Sequence, residues 1–237
     1  MGVGVVIPAA GQGRRMGTSV SKQFLDLAGE PVLIRTLRTF TSYVAISRIV
    51  VVVREEEKTG TNLLLEKHGL LPPNVEVVTG GEERQQSVYN GLKALDTEWV
   101  MVHDAVRPFV THDRLDALLD AMRENKAAIL AVPVKDTVKR VNEEKLVVDT
   151  PERKSLWAVQ TPQAFQRDLL MEAHQKGEEE GWSVTDDAML VEKLGREIKV
   201  VEGDYANLKL TTPEDLVLAE AIWKMRSQAD DENRTRV

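Results

Sequence analysis

Val3-Gly4-Val5-Val6-Ile7-Pro8-Ala9-Ala10-Gly11-Gln12-Gly13-Arg14-Arg15-Met16-Gly17, with Lys22 five residues further on, reads as a buried strand running into a glycine-rich turn. The run is apolar throughout rather than alternating, as a strand covered on both faces is. Glycines after such a strand let backbone N–H groups approach phosphate oxygens, because no Cβ stands in the way. Arg15 and Lys22 add fixed positive charge beside that loop. A dinucleotide-binding turn is the competing interpretation. The glycine spacing is G-x-G-x-x-x-G, two basic residues interrupt it, and no acidic residue ends the second strand some ~20 residues on, so that fingerprint is not met.

Outward from this stretch, β-branched runs alternate with helix-period segments. Strands are expected at Arg48–Val53, Val75–Val78, Trp99–His103 and Ile129–Val132, and later near Leu156–Val159 and Ile198–Val201. Amphipathic helices are expected at Val32–Tyr43, Glu55–His68, Arg84–Leu95 and Asp113–Asn125. This order predicts an α/β fold with a mostly parallel sheet and right-handed crossovers. Lys135–Thr150 breaks the rhythm as a hairpin, with Thr137–Val141 and Leu146–Val148 flanking a turn at Asn142–Lys145. Having no place inside such a sheet, it should project as an arm. The polar, aperiodic run Ser227–Val237 reads as a frayed tail.

The composition bounds the function classes. At 237 residues, with 42% apolar and 29% charged residues, the chain suits one large domain. A net charge of -7 without a basic run does not suggest nucleic acid or an anionic membrane as partner. Without cysteine there are no disulfides, thiolate nucleophiles or thiolate metal sites. Met1–Ala10 lacks the features of a signal peptide, and no apolar run reaches the ~20 residues of a membrane span, so a cytoplasmic protein is expected.

Two further motifs lie at strand ends. Gly80-Gly81-Glu82-Glu83-Arg84-Gln85-Gln86-Ser87 follows the third strand and opens a helix, at the edge where open α/β sheets bind ligands. Paired glycines there suit either close packing against a flat base or a tight turn, and both stand on this stretch alone. In His103-Asp104-Ala105-Val106-Arg107-Pro108, Asp104 can accept sugar hydroxyls or help hold a hydrated Mg²⁺. Arg107 can orient Asp104 or meet an anion, although a purely structural Asp–Arg pair competes. His103 is expected to be a satisfied core residue. Thr185-Asp186-Asp187 and Thr212-Pro213-Glu214-Asp215 read as helix caps with acidic first turns, the former in preference to a metal site. Arg153 and Lys209 would pass for surface charges on periodicity alone.

The chain resembles the 2-C-methyl-D-erythritol 4-phosphate cytidylyltransferase family from Val3 to about Met225. The matching stretches are Pro8–Met16 with Lys22, Gly80–Ser87, His103–Pro108, Pro133–Arg140, Glu152–Phe165, Thr185–Ala188 and Ala206–Thr211. Their order and spacing together are more specific than any one motif. The resemblance implies a Rossmann-like three-layer nucleotidyltransferase fold, single-domain over 1–226 with its arm at about 135–150, and a homodimer formed partly through that arm. It implies transfer of CMP from CTP to the methylerythritol phosphate, with Mg²⁺ held mainly through the CTP phosphates and no dedicated metal ligands. Arg15 and Lys22 would stabilise the transition state, and Arg153 and Lys209 would place the acceptor phosphate. Ala9, Ala10, Gly11, Gly13, Gly80, Gly81, Glu82, Ser87, Asp104, Arg107, Thr137 and Thr161 would complete the substrate sites. Glu82 departs from the family's more frequent Asp. Cytidylyl transfer to ribitol or glycerol phosphate is the nearest rival, disfavoured by Glu152–Gln163; a non-catalytic nucleotide sensor and an NAD-binding oxidoreductase are more distant ones.

Overall fold

Alternate residues of the first strand enter opposite cores. Val5 and Ile7 pack in one buried cluster and Val6 in the other, and in the next long strand Val51 and Val53 oppose Val50 and Val52 in the same way. A sheet apolar on both faces must be covered on both, and the computed structural model, which describes residues 2–11, 21–70 and 74–235, has that architecture. The stretch 12–20, with Gly13 and Arg15, lies outside the described residues.

The elements in chain order are β1 (Val3–Pro8), β2 (Asp26–Leu27), β3 (Glu30–Pro31), α1 (Val32–Thr41), β4 (Ile46–Val53), α2 (Glu55–Lys67), β5 (Val75–Thr79), α3 (Arg84–Lys93), β6 (Trp99–Val102), α4 (His112–Asn125), β7 (Ala127–Pro133), β8 (Arg140–Val141), β9 (Val147–Asp149), β10 (Trp157–Gln166), α5 (Arg167–Glu179), α6 (Asp187–Lys193), β11 (Lys199–Glu202) and α7 (Pro213–Thr235). Seven strands form one sheet in the order β11-β7-β10-β6-β1-β4-β5. All neighbours run parallel except β10, which is antiparallel to both β6 and β7. Helices α1, α2 and α4 contribute Leu33, Leu37, Phe40, Leu65, Leu118 and Met122 to one core. Helices α3, α5 and α6 contribute Val88, Leu92, Leu170 and Leu190 to the other. From β1 the chain builds outward through β4 and β5, then returns to place β6 on the other side of β1. The crevice outside the carboxyl ends of β1 and β6 is therefore the switch point at which such sheets bind ligands.

A third, smaller core of Leu27, Val32, Val106, Phe109, Leu210 and Ala219 fastens α7 across this end. Thr211 and Thr212 donate their backbone N–H groups to Asp215 Oδ2 at 2.7 and 2.8 Å, so the expected acidic first turn is present and bonds back to the chain entering the helix. The backbone stays helical to Thr235, where the sequence predicts a frayed tail from Ser227. Extending an established helix adds one hydrogen bond per residue fixed, and Gln228, Ala229 and Glu232 are good formers.

The arm is present but shorter-paired than expected. Its strands are β8 and β9, while Thr137 to Lys139 are unpaired and exposed. Asn142 closes the turn, accepting the Leu146 N–H on Oδ1 at 2.9 Å, and Lys145 takes φ +64°. Val141, Leu146, Val147 and Val148 are each at least half exposed, an apolar run on a projecting hairpin. Among the described residues no helix is long and apolar enough to cross a membrane.

Candidate active site

The turns after β1, β5 and β6 meet at the carboxyl edge and enclose a cleft of about 170 Å³. Ala9, Ala10 and Gly11 form one wall, held by the Ala9 N–H donating to Val52 O at 2.7 Å and by Gln23 Nε2 donating to Ala9 O at 2.7 Å. Gln23 is buried in the short 3₁₀ turn Lys22–Phe24, so its anchor places the neighbouring Lys22 on the cleft. Among the described residues, a Cβ on Gly11 would meet no atom within 4 Å.

Gly81, Glu82 and Ser87 form the opposite wall. Gly80 does not line the cleft. A Cβ there would stand 2.6 Å from Ser87 Oγ, and one on Gly81 2.4 Å from Gln86 Cβ. The protein's own packing thus requires the glycine pair. Ser87 Oγ accepts the Gly81 N–H at 3.1 Å, and Gln86 Oε1 accepts those of Glu82 and Glu83.

Asp104 lies at the floor. Lys209 Nζ is 2.8 Å from Oδ2, Arg107 Nε 3.6 Å from the same oxygen, and Arg84 Nη2 3.7 Å from Oδ1. Burial alone would raise the Asp104 pKa, but Lys209, Arg84 and Arg107 outweigh it and hold the carboxyl well below the usual range. It remains ionised at neutral pH. Arg107 Nη1 donates to Asn207 O at 2.7 Å and Leu210 N–H to Val106 O at 3.0 Å, so the docked C-terminal segment delivers Lys209 to Asp104. Burying Leu210 in the third core supports this docking by roughly 2 kcal/mol.

His103 is fully buried beneath this floor. Its Nε2 lies 2.9 Å from the Arg107 carbonyl, which only accepts, so Nε2 carries the proton. Nδ1 then accepts from Thr161 Oγ1 at 3.2 Å, and that oxygen accepts the Asp104 N–H at 3.0 Å. Burial lowers the His103 pKa to about 4, against the partial compensation of these bonds. The ring is neutral at pH 7 and structural, as expected, and Thr161 touches the site by holding the Asp104 backbone. Between about pH 6.5 and pH 4 the unfolded chain binds a proton at His103 that the folded one refuses. Stability is therefore complete above that window and falls through it, by up to about 3 kcal/mol. Urea midpoints measured from pH 7.5 to 4.5 should show this slope, flattened in His103→Phe; an equal slope in the variant would assign it elsewhere.

A second cleft adjoins the first and shares Arg84, Asp104 and Lys209 with it. Arg107, Thr161, Gln163, Thr185 and Asp186 line it as well. A cap is present one residue later than the sequence predicts: Asp186 rather than Thr185 caps α6, accepting the Met189 N–H at 3.0 Å, and Asp187 is the first-turn acid. Asp187 is not a solvated first-turn carboxylate. It is 1% exposed and pairs with Arg84 Nη2 at 2.8 Å.

Arg153 and Thr137 line neither cleft. Arg153 Nη1 donates to Lys135 O at 3.0 Å at the base of the arm, in an exposed 3₁₀ turn. Sequence reasoning passed over Arg84 and Gln23. Arg84 carried a signal, since a cation in the first turn of a helix opposes the dipole and needs a reason to be there. Gln23 carried none, because a buried glutamine has no periodic signature.

The pattern that defines 2-C-methyl-D-erythritol 4-phosphate cytidylyltransferases (IspD) matches residues 3–225. The enzyme of that name from Bacillus velezensis is 52% identical over 225 residues, covering 94% of this chain and 96% of the relative. The one from Bacillus pumilus is 52% identical over 220 residues, covering 92% and 95%. Among solved structures, 4-diphosphocytidyl-2C-methyl-D-erythritol synthase from Anaerococcus prevotii superposes with a TM-score of 0.83 at 36% identity, covering 94% of this chain and 96% of that one. The Thermus thermophilus cytidylyltransferase does so with a TM-score of 0.76 at 35% identity, covering 94% and 98%.

Proposed function

The chain belongs to the 2-C-methyl-D-erythritol 4-phosphate cytidylyltransferase family, and on that premise we propose which of its residues do what. It transfers CMP from CTP to 2-C-methyl-D-erythritol 4-phosphate, giving 4-diphosphocytidyl-2-C-methyl-D-erythritol and pyrophosphate in isoprenoid precursor synthesis. The observation that carries the residue assignment is the convergence of Lys209, Arg84 and Arg107 on one ionised Asp104 at the switch point, in a cleft that Lys22 also lines.

The acceptor's phosphate oxygen attacks the α-phosphorus of CTP as the bond to the β-phosphate oxygen breaks. That nucleophile is already ionised near neutral pH, so no general base is needed, and His103, buried and neutral, is not one. Catalysis is then alignment and charge compensation. Ala9, Ala10 and Gly11 would pass backbone along the nucleotide, with Gly81, Glu82 and Ser87 facing the base and Asp104 the ribose. Lys22, together with Arg15, which lies outside the described residues, would offset charge developing at the five-coordinate phosphorus. The adjoining cleft, with Arg107, Thr161 and Lys209, would take the acceptor.

Mg²⁺ fits these residues. Asp104 is an ionised hard-oxygen donor facing the cleft, and a cation bound chiefly by nucleotide phosphates asks little more of the protein. Among the described residues no group of three His, Asp or Glu side chains forms a cage of its own. When bound, the ion would neutralise polyphosphate charge and ease pyrophosphate departure. The exposed apolar arm, with Trp157 and Val159 at its root 39% and 43% exposed, supports a two-fold homodimer in which copies cover each other's arms.

The experiment that tests this assignment is pyrophosphate release with the four nucleotides. Uracil replaces the 4-amino donor of cytosine with an acceptor, and a wall built for one leaves polar groups unpaired with the other. CTP should be used about a hundredfold better than UTP, and better still than ATP or GTP. Equal turnover with all four would remove the base assignment.

A further inference from the structure

Arg84 faces two carboxylates. It is 2.8 Å from Asp187 Oδ2 and 3.7 Å from Asp104 Oδ1, at the junction of the two clefts. Asp187 lines neither of these clefts and is 1% exposed. On its other side His174 Nε2 is 3.2 Å from Asp187 Oδ1, and the His174 ring stacks on Tyr89 of α3 with centroids 5.7 Å apart and planes 4° apart. The carboxylate is thus walled in between the first turn of α6, α5 and α3, with its charge aimed back at Arg84.

A buried ion pair is a weak means of stabilising a fold, since well-packed apolar groups often serve as well or better. Its geometry, by contrast, has a consequence at the active site. Asp104 holds Lys209 on Oδ2 at 2.8 Å, and Arg84 stands 3.7 Å from the other oxygen, Oδ1, one short displacement from forking across both and displacing the lysine. We infer that Asp187 is a positioning residue which, backed by His174, tethers the Arg84 guanidinium away from Asp104 and so keeps Asp104 and Lys209 paired and open to the substrates.

With the tether gone, Arg84 would close on Asp104. The guanidinium's planar fork matches a carboxylate better than the lysine ammonium does, and the exchange would cover the floor of both clefts. Asp187 therefore acts only through Arg84. This inference rests on the cytidylyl-transfer assignment for its kinetic readout and deepens it.

The test is a double-mutant cycle of Asp187→Asn and Arg84→Met, read as kcat/KM for pyrophosphate release and, independently of turnover, as CTP affinity by titration calorimetry. Asp187→Asn should lower kcat/KM tenfold or more and weaken CTP binding. Adding Arg84→Met should remove that penalty, so that the double variant matches Arg84→Met alone in both measurements. If Asp187→Asn does not fold, the comparison between Arg84→Met and the double variant still decides, because both lack the cation and the double lacks the buried charge as well. Multiplying effects, or a double variant well below Arg84→Met, would overturn the tether and leave Asp187 a structural carboxylate. A wild type inactive with CTP and the methylerythritol phosphate would instead strike the transfer assignment, while the calorimetric cycle would still judge the tether.

Discussion

Lys22→Ala is expected to lower kcat by about a hundredfold or more while the protein remains folded. Removing one donor or charge aligned with the transition state costs on the order of 3 kcal/mol, and each ~1.4 kcal/mol of barrier is tenfold in rate. The structure separates this role from stability. The turn that carries Lys22 is anchored by the neighbouring side chain, Gln23, through its 2.7 Å bond to Ala9 O, and the substitution leaves that anchor untouched. Lys22 is itself only partly buried, so its removal opens no cavity. Pyrophosphate-release kinetics should show the loss in kcat with a smaller change in the KM for CTP, the signature of an interaction strongest in the transition state. Thermal melting should be unchanged within about 0.5 kcal/mol, as for surface substitutions generally. An unaltered kcat would reduce Lys22 to a cation of the loop.

Mixing Arg153→Ala with Lys22→Ala protein is expected to restore activity that neither variant has alone. Arg153 lies at the base of the arm, bonded to Lys135 O and outside both clefts of its own chain. In the proposed homodimer, a second copy related by a two-fold axis would cover the arm's exposed apolar side chains. In that arrangement an arm-linked arginine can reach the partner's acceptor cleft. A mixed dimer then carries one site with both residues intact and one with neither. Activity in the mixture should approach a quarter of wild type at equal ratio, because about half the dimers are mixed and half their sites are whole. Arg153→Lys by itself should raise the KM for the methylerythritol phosphate and spare that for CTP, since an ammonium cannot reproduce a bidentate guanidinium–phosphate contact. Heterodimers that form without regaining activity would return Arg153 to its own chain.

Much of the site was legible along the chain because its parts sit at strand ends, and strand ends are marked. Pro8–Gly11, Gly80-Gly81 and Asp104 each follow a β-branched run, and parallel order alone puts those ends on one edge. The starts of α6 and α7 were equally visible, being local chemistry, although the cap of α6 is Asp186 one residue beyond the expected Thr185. What failed did so for physical reasons. Asp187 read as an ordinary first-turn carboxylate because nothing local distinguishes a solvated one from one facing a distant Arg84. The central β10 was seen only at its first residues, since the Thr161-Pro162 step and its irregular register interrupt the pattern that announces a strand.

By itself the sequence determined that two apolar faces need covering, that helices alternate with strands to cover them, and that a glycine-rich, cationic loop opens at the first strand's end. Those are consequences of residue period and local backbone freedom, which do not depend on what is far away. Only the tertiary structure decided that Lys209 rather than Arg107 pairs closely with Asp104, that Arg84 divides itself between two carboxylates, and that His103 is held neutral. These depend on burial and on distances between segments up to a hundred residues apart, as with Arg107 and Asn207, because charge interactions act through space and strengthen where water is excluded.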